Sequence, residues 1–187
     1  RRVKLWASVP RLKVSTMIEL RDLPATLPLY ARAAMSSSKK GVTLELPPLA
    51  MRLKNFHIDA ANLKSYCEVC QIAPTEHLPL TYPQVIAAPL HMAMMTQKEF
   101  PMALMGIVHI RNHIEQIRPL GVKEVFDITV KLGPARAASQ GVEFDILTEF
   151  ADAKGTLDLP VLGTVLLKPG ETDARGVTRP GLTLSTR

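Results

Sequence analysis

The stretch YPQVIAAPLHMAMMTQK, residues 82 to 98, is apolar nearly all round when wound as a helix. A helix of that kind has no face left for water and must be covered by other elements. The chain supplies the cover next. After Pro101 the hydrophobic period changes from helical to two. In GIVHIRNHIEQI, Val108, Ile110 and Ile114 fall on one face, with His109, Arg111, His113 and Glu115 on the other. VKEVFDITVKL aligns Phe126, Ile128, Val130 and Leu132; GVEFDILTEF aligns Val142, Phe144, Ile146 and Phe150. TLDLPVLGTVLLK is a more continuous apolar strand, and Pro160 argues for an edge or a bulge. Turn signals fall at Pro119 and Gly121, from Gly133 to Gly141, and from Asp152 to Gly155. Long strands with short turns make an antiparallel meander, so the pattern predicts an α+β domain with a sheet wrapped around one buried helix.

Upstream, LPATLPLYARAAM, residues 23 to 35, offers a short helix before the break at Ser36 to Ser38. Around PPLAMRLKNFHI, Leu49, Met51 and Leu53 alternate as in a half-buried strand. Asp59 reads as the N-cap of a helix carrying Leu63, Tyr66, Cys67 and Cys70 at helical spacing. Thr81 and Pro83 open the buried helix, and Pro89 should kink or split it. From Pro169 the text turns polar and Gly-rich and its periodicity ends. The organisation is therefore an N-terminal extension over 1–44, a domain over 45–168, and a linker or tail over 169–187.

Composition narrows the classes. The chain has 187 residues, 47% hydrophobic and 21% charged, enough for one domain with a real core. Its longest apolar run, Val85 to Met95, is too short to span a bilayer, and Arg1 to Val9 lacks the apolar stretch of a signal peptide. A membrane partner is not expected. Two cysteines, Cys67 and Cys70, build no disulfide framework and favour a reducing cytoplasm. As a zinc or redox pair they lack the surrounding ligands or βαβ context, and no metal site is expected. The formal charge of +6 is scattered and has no aromatic platform, so nucleic acid is not the expected partner; a phosphate-bearing coenzyme A thioester or an acidic carrier protein suits it as well. No phosphate-binding Gly loop or Gly-x-Ser-x-Gly elbow occurs.

A helix swaddled by an antiparallel sheet is the hot-dog fold. LPLTYPQVIAAPLHMAMMTQKEFPMALMGIVHIRNHIEQIRPL, residues 78 to 120, resembles the N-terminal half of double-hot-dog proteins of the MaoC-like dehydratase, or (R)-specific enoyl-CoA hydratase, family. The resemblance extends more loosely over about 45–168. It implies addition of water to a trans-2-enoyl thioester, or its removal, on coenzyme A or a carrier protein, without metal or organic cofactor. The family's catalytic loop reads roughly Tyr-x-x-x-Ser-Gly-Asp-x-Asn-Pro-Ile-His. On YCEVCQIAPTEH, residues 66 to 77, Tyr66 meets the Tyr, Cys70 the Ser, Gln71 the Gly and His77 the His. Ile72 falls on the Asp, and isoleucine can neither accept a proton nor hold a water.

His77 is accordingly the candidate catalytic residue, either a remnant base or an ordinary loop histidine. Tyr82, Leu90, His91, Met94 and Met95 are candidate acyl-pocket residues, with core packing as the alternative for the helical ones. His109 and Arg111 are candidates for meeting ligand phosphate or a second hot-dog unit; the alternative is a solvated face. The resemblance implies a non-catalytic half that shapes the acyl pocket while another half carries the Asp–His pair. The alternatives are a non-enzymatic acyl-binding or assembly module, and a hydratase with a substitute acid. A single such sheet leaves an edge strand open, with 106–117 the candidate, so the chain should pair with a second unit, as a dimer or through a covalent half. If the loop is degenerate, Ile72 should be buried against the helix at Pro83 to Met95.

Overall fold

The computed structural model describes residues 14–35, 43–104, 106–152, 154–167, 170–172 and 178–180. One sheet holds six strands in the order β1 (Thr16–Leu20), β2 (Leu49–His57), β4 (Val125–Ala138), β5 (Gly141–Ala151), β6 (Leu157–Leu167) and β3 (Ile107–Ile114). All neighbours are antiparallel except β1 and β2, which run parallel. Three helices accompany the sheet: α1 (Thr26–Met35), α2 (Ala60–Cys70) and α3 (Tyr82–Met95). Helix α3 is the wrapped element. Ile86, Leu90 and Met94 join Met51, Phe126, Ile128, Phe144 and Phe150 in one buried cluster. The helix runs unbroken through Pro89, so the proline does not split it. This is the hot-dog arrangement, an α+β fold.

Strands β4, β5 and β6 form the expected meander, but β3 does not begin it. The chain crosses from β3 at the far edge to β4 in the middle, and among the described residues β3 pairs with β6 alone. Hydrophobic alternation tells which residues face inward and carries no information on which strand lies alongside.

The face assignment within β3 also needs correction. The pairing shifts between His109 and Arg111, leaving Ile110 as an extra residue. That bulge reverses the alternation. Ile107 and Ile114, seven positions apart, both pack against the core, while Val108 and Ile110 are 48% and 37% exposed. His109 and Arg111 consequently stand on opposite faces.

A second bulge lies between Leu132 and Ala135. The stretch from Gly133 onward, which carries turn residues, is therefore strand: β4 continues to Ala138 and the turn itself is Ser139 and Gln140. A side chain at Gly133 would put its Cβ 2.9 Å from that of Asp145, which explains the glycine there. Pro160 sits just past Val161, where the β3 pairing ends, so β6 is locally an edge at the proline.

The described residues 14–35 attach to the domain. β1 extends the sheet beside β2, and α1 buries Leu29 and Ala33 on the α3 side. Among the residues expected to be linker or tail, β7 (Gly170–Thr172) and β8 (Thr178–Pro180) pair as a two-stranded ribbon.

Candidate functional site

Helix α2 starts where the sequence places it. The Asp59 Oδ1 accepts from the backbone N–H of Ala61 and Asn62 at 2.8 and 3.1 Å. Its other end explains the loop motif. Gln71 adopts the left-handed conformation, φ 55° and ψ 40°. Gln71 N–H donates to Glu68 C=O, and Ile72 N–H reaches back to Cys67 C=O at 2.9 Å. These two bonds close a Schellman helix end, whose left-handed residue is usually glycine. Gln71 is the residue that stands on the motif's Gly, and holding a side chain in that conformation costs about 1 kcal/mol.

Ile72 follows at the position where such an end commonly carries an apolar contact. It is 37% exposed, and it lines a groove rather than packing into the core, contrary to the expectation of burial against α3. Ile72 is placed instead by the Schellman helix end, whose left-handed residue Gln71 immediately precedes it.

The groove encloses about 500 Å³. α2 contributes Leu63, Lys64 and Cys67; the following loop contributes Ile72, Pro74, His77 and Leu78; Val122 and Lys123 close it. Its wall is mainly apolar, so it fits a hydrocarbon chain. Ile72 and His77 thus share one cavity. His77 is exposed, and its backbone is clamped by Thr75, whose Oγ1 donates to the His77 C=O and accepts from its N–H. No acid lines the groove beside the imidazole; Glu124, outside the lining, is the carboxylate on which His77 acts electrostatically.

The wall at 120–124 has its own brace, which the sequence reading missed. His77 bridges to Gly121, Leu78 N–H donates to Leu120 C=O, and Val122 N–H donates to Glu76 C=O. Arg118 then ties this segment to β6. It donates to both carboxylate oxygens of Asp158 at 2.9 and 2.8 Å and to both of Glu124 at 3.0 and 2.7 Å. Glu124 also accepts from Gly121 N–H. Its carboxyl is held below the usual range, chiefly by the Arg118 hydrogen bond. The signal was present as one arginine and two acids, but their separations of six and forty residues follow no local spacing.

The motif tyrosine is structural. Tyr66 Oη lies 2.7 Å from Thr81 Oγ1, and its ring packs on Tyr82 with centroids 5.0 Å apart. Tyr82 donates to Asn62 Oδ1 at 2.9 Å, and burial pushes its hydroxyl up to about 12. It stays protonated and locks α2 onto α3.

The structure does not bring the other candidates to the groove. Tyr82, Leu90, Met94 and Met95 belong to the core cluster. His91 is buried, and its Nε2 lies 2.8 Å from Thr148 Oγ1. Burial first, and nearby His109 second, lower it to about 4, so it is neutral. His109 lies over Gly163, where a Cβ would meet its Nε2 at 3.3 Å; Gly163 pairs with the inward Ile146, which puts the ring on the α3 side. Its Nε2–H donates to Arg111 C=O at 2.7 Å, fixing the tautomer. Arg111 points the other way and pairs with Glu143 at 2.7 Å. Cys67 is buried and Cys70 exposed. Among the described residues no three metal-binding side chains come together.

No protein-family profile matches the chain. Over 106 residues it is 33% identical to 3-hydroxyacyl-thioester dehydratase X of Mycobacterium tuberculosis (strain ATCC 25618 / H37Rv), covering 57% of this chain and 38% of that protein. The crystal structure of HtdX from Mycobacterium tuberculosis superposes with a TM-score of 0.60 at 28% identity, covering 65% of this chain and 52% of the other. The chain therefore spans about half the length, or less, of these relatives. The C-terminally truncated HadBC (3R-hydroxyacyl-ACP dehydratase) complex from the same organism aligns with a TM-score of 0.55 at 10% identity, over 68% of this chain and 98% of that one, a likeness of fold alone. By its fold the chain is a hot-dog domain, and over 106 residues its sequence is similar to that of a 3-hydroxyacyl-thioester dehydratase.

Proposed function

We propose that this domain is the non-catalytic half of an acyl-thioester hydratase or dehydratase, and that it holds acyl chain while a second hot-dog unit supplies the acid–base pair. One observation carries the reading: Ile72 and His77 line the same apolar groove, and isoleucine occupies the position of the motif's acid. A lone histidine can accept one proton, but hydration needs water activated at one carbon and a proton delivered to the next. The ligand is an enoyl or 3-hydroxyacyl chain on coenzyme A or a carrier protein. The domain proper runs over 45–168, with β1 and α1 as an attached extension, and 169–187 is a linker or tail.

The test uses the 187-residue chain with a trans-2-enoyl-CoA. Saturable binding without hydration is the expected result; turnover would overturn the reading. Ile72→Asp sharpens it. Because Ile72 is 37% exposed, the carboxylate meets water and the stability change stays within about 1 kcal/mol. No hydration appears, since the Gly and Asn of the motif are also replaced, by Gln71 and Pro74. Hydration clearly above the parent chain would show a site one substitution from activity.

Among the described residues, strand β3 is an edge with β6 as its one neighbour. An open edge with Val108 and Ile110 outward favours pairing with a second unit. Light scattering on the isolated chain should report a dimer; a folded, monodisperse monomer would remove the support for strand pairing.

A further inference from the structure

The groove is charged in one sign only. Its wall is apolar through Ile58, Leu63, Ile72 and Val122, and no acid is among its lining residues. Two cations are: Lys64 from α2 and Lys123 from the 120–124 segment. Both line the groove and both are exposed. A lysine so placed lays its methylene stem along the apolar wall and keeps its ammonium in water, which puts the two charges at the mouth. Neither is committed elsewhere. Lys123 makes no ion pair among the described residues. Lys64 has Glu68, 3.8 Å away with both side chains mostly exposed, a pairing worth little. An apolar wall with two uncommitted cations at its mouth fits an acyl chain with an anionic head.

Coenzyme A and a carrier protein both offer such a head, since each holds the thioester on a phosphate-bearing arm. The rim separates them. A carrier protein brings an acidic surface with its arm, and that surface has to lie over the mouth. The residues next to the lining positions are acidic: Asp59 between Ile58 and Ala60, Glu68 after Cys67, and Glu76 between Thr75 and His77, all exposed. Arg118 does not offset them, because Asp158 and Glu124 take its donors. An acidic surface laid on this rim would set like charges against each other, which lowers affinity and slows association. Coenzyme A needs the two lysines alone. Its phosphates sit on a flexible arm and leave the three acids facing water.

We infer that the groove accepts its acyl chain as a coenzyme A thioester, with Lys64 and Lys123 meeting the phosphates, and that the acidic rim turns a carrier protein away. The inference rests on the acyl-chain reading proposed above and decides between the two carriers which that reading leaves open.

Equilibrium binding of the 187-residue chain to one acyl chain on three heads tests it: trans-2-dodecenoyl-CoA, the same chain on an acyl carrier protein, and the same chain on pantetheine, which has no phosphate. The coenzyme A thioester should bind about tenfold or more tightly than either of the others, and its advantage over the pantetheine thioester should shrink as salt rises. Lys64→Glu with Lys123→Glu should abolish that advantage at an unchanged thermal midpoint, because both side chains already face water. Glu68→Gln with Glu76→Gln should strengthen binding of the carrier-loaded chain several-fold. Carrier-loaded chain bound as tightly as the coenzyme A thioester overturns the inference and leaves the acyl-chain reading standing. A pantetheine thioester that binds equally well does the same, and that comparison needs no variant. If none of the three binds, the acyl-chain reading fails and takes the inference with it.

Discussion

Arg118→Ala is expected to lower the thermal midpoint by about 5–10 °C, the equivalent of about 2–3 kcal/mol for a chain of this size. The Asp158 side chain is 3% exposed, and Arg118 is its partner on both oxygens. Without the guanidinium a buried carboxylate is left uncompensated, which is far worse than never having placed the pair there. The figure sits below the full penalty for a buried pair because Arg118 and Glu124 are 39% and 36% exposed, and solvent screens their share. The consequence reaches the groove. Arg118 holds the segment that bridges His77, pairs with Leu78 through Leu120, and supplies Val122 and Lys123 to the wall. Acyl-thioester binding should therefore weaken along with stability. Adding Asp158→Asn should recover part of the midpoint, since a neutral amide is cheaper to leave buried. A midpoint within 1–2 °C of the parent would show that the triad carries no net stability.

Acid should destabilise the parent chain well before its carboxylates titrate. His91 is held near 4 in the folded state, first by burial and then by His109, against an ordinary value near 6.5. Between those two values the unfolded chain binds the proton and the folded chain does not, so stability falls as pH drops through that window. The full loss is roughly 3 kcal/mol by pH 4. The contribution is complete above about pH 7, where His91 is neutral in both states. Replacing His91 alone would strand the Thr148 hydroxyl, which is fully buried. His91→Leu with Thr148→Val removes both polar groups together and should keep most of the neutral-pH stability. Denaturant midpoints from pH 7 to 4 decide it: a steep parent curve and a flattened double variant are expected. Parallel curves would assign the acid loss to other groups, such as Glu124, whose contribution disappears at lower pH.

The helix at Tyr82–Met95, the cap at Asp59 and the inward faces of β4 and β5 were legible in the sequence, because each is set by residues close together in the chain. The loop over 66–77 was legible as a motif with its acid replaced by Ile72. The left-handed backbone at Gln71 was not, because nothing in a glutamine announces it. Strand order was hidden as well: β3 lies beside β6 across some fifty residues of chain, as His109 opposite Val165 shows. Alternation could not reveal the bulge at Ile110, and that single unpaired residue sends His109 toward α3 and Arg111 to Glu143 on the outer face. Similarly, no spacing could announce that Arg118 would meet Glu124 and Asp158, or that Ile72 would line a groove instead of filling the core. Local periodicity and capping decided which segments are helix or strand and which faces are apolar. Pairing between distant strands, which depends on the packing of the whole sheet around α3, decided where the polar side chains ended up and so where the groove lies.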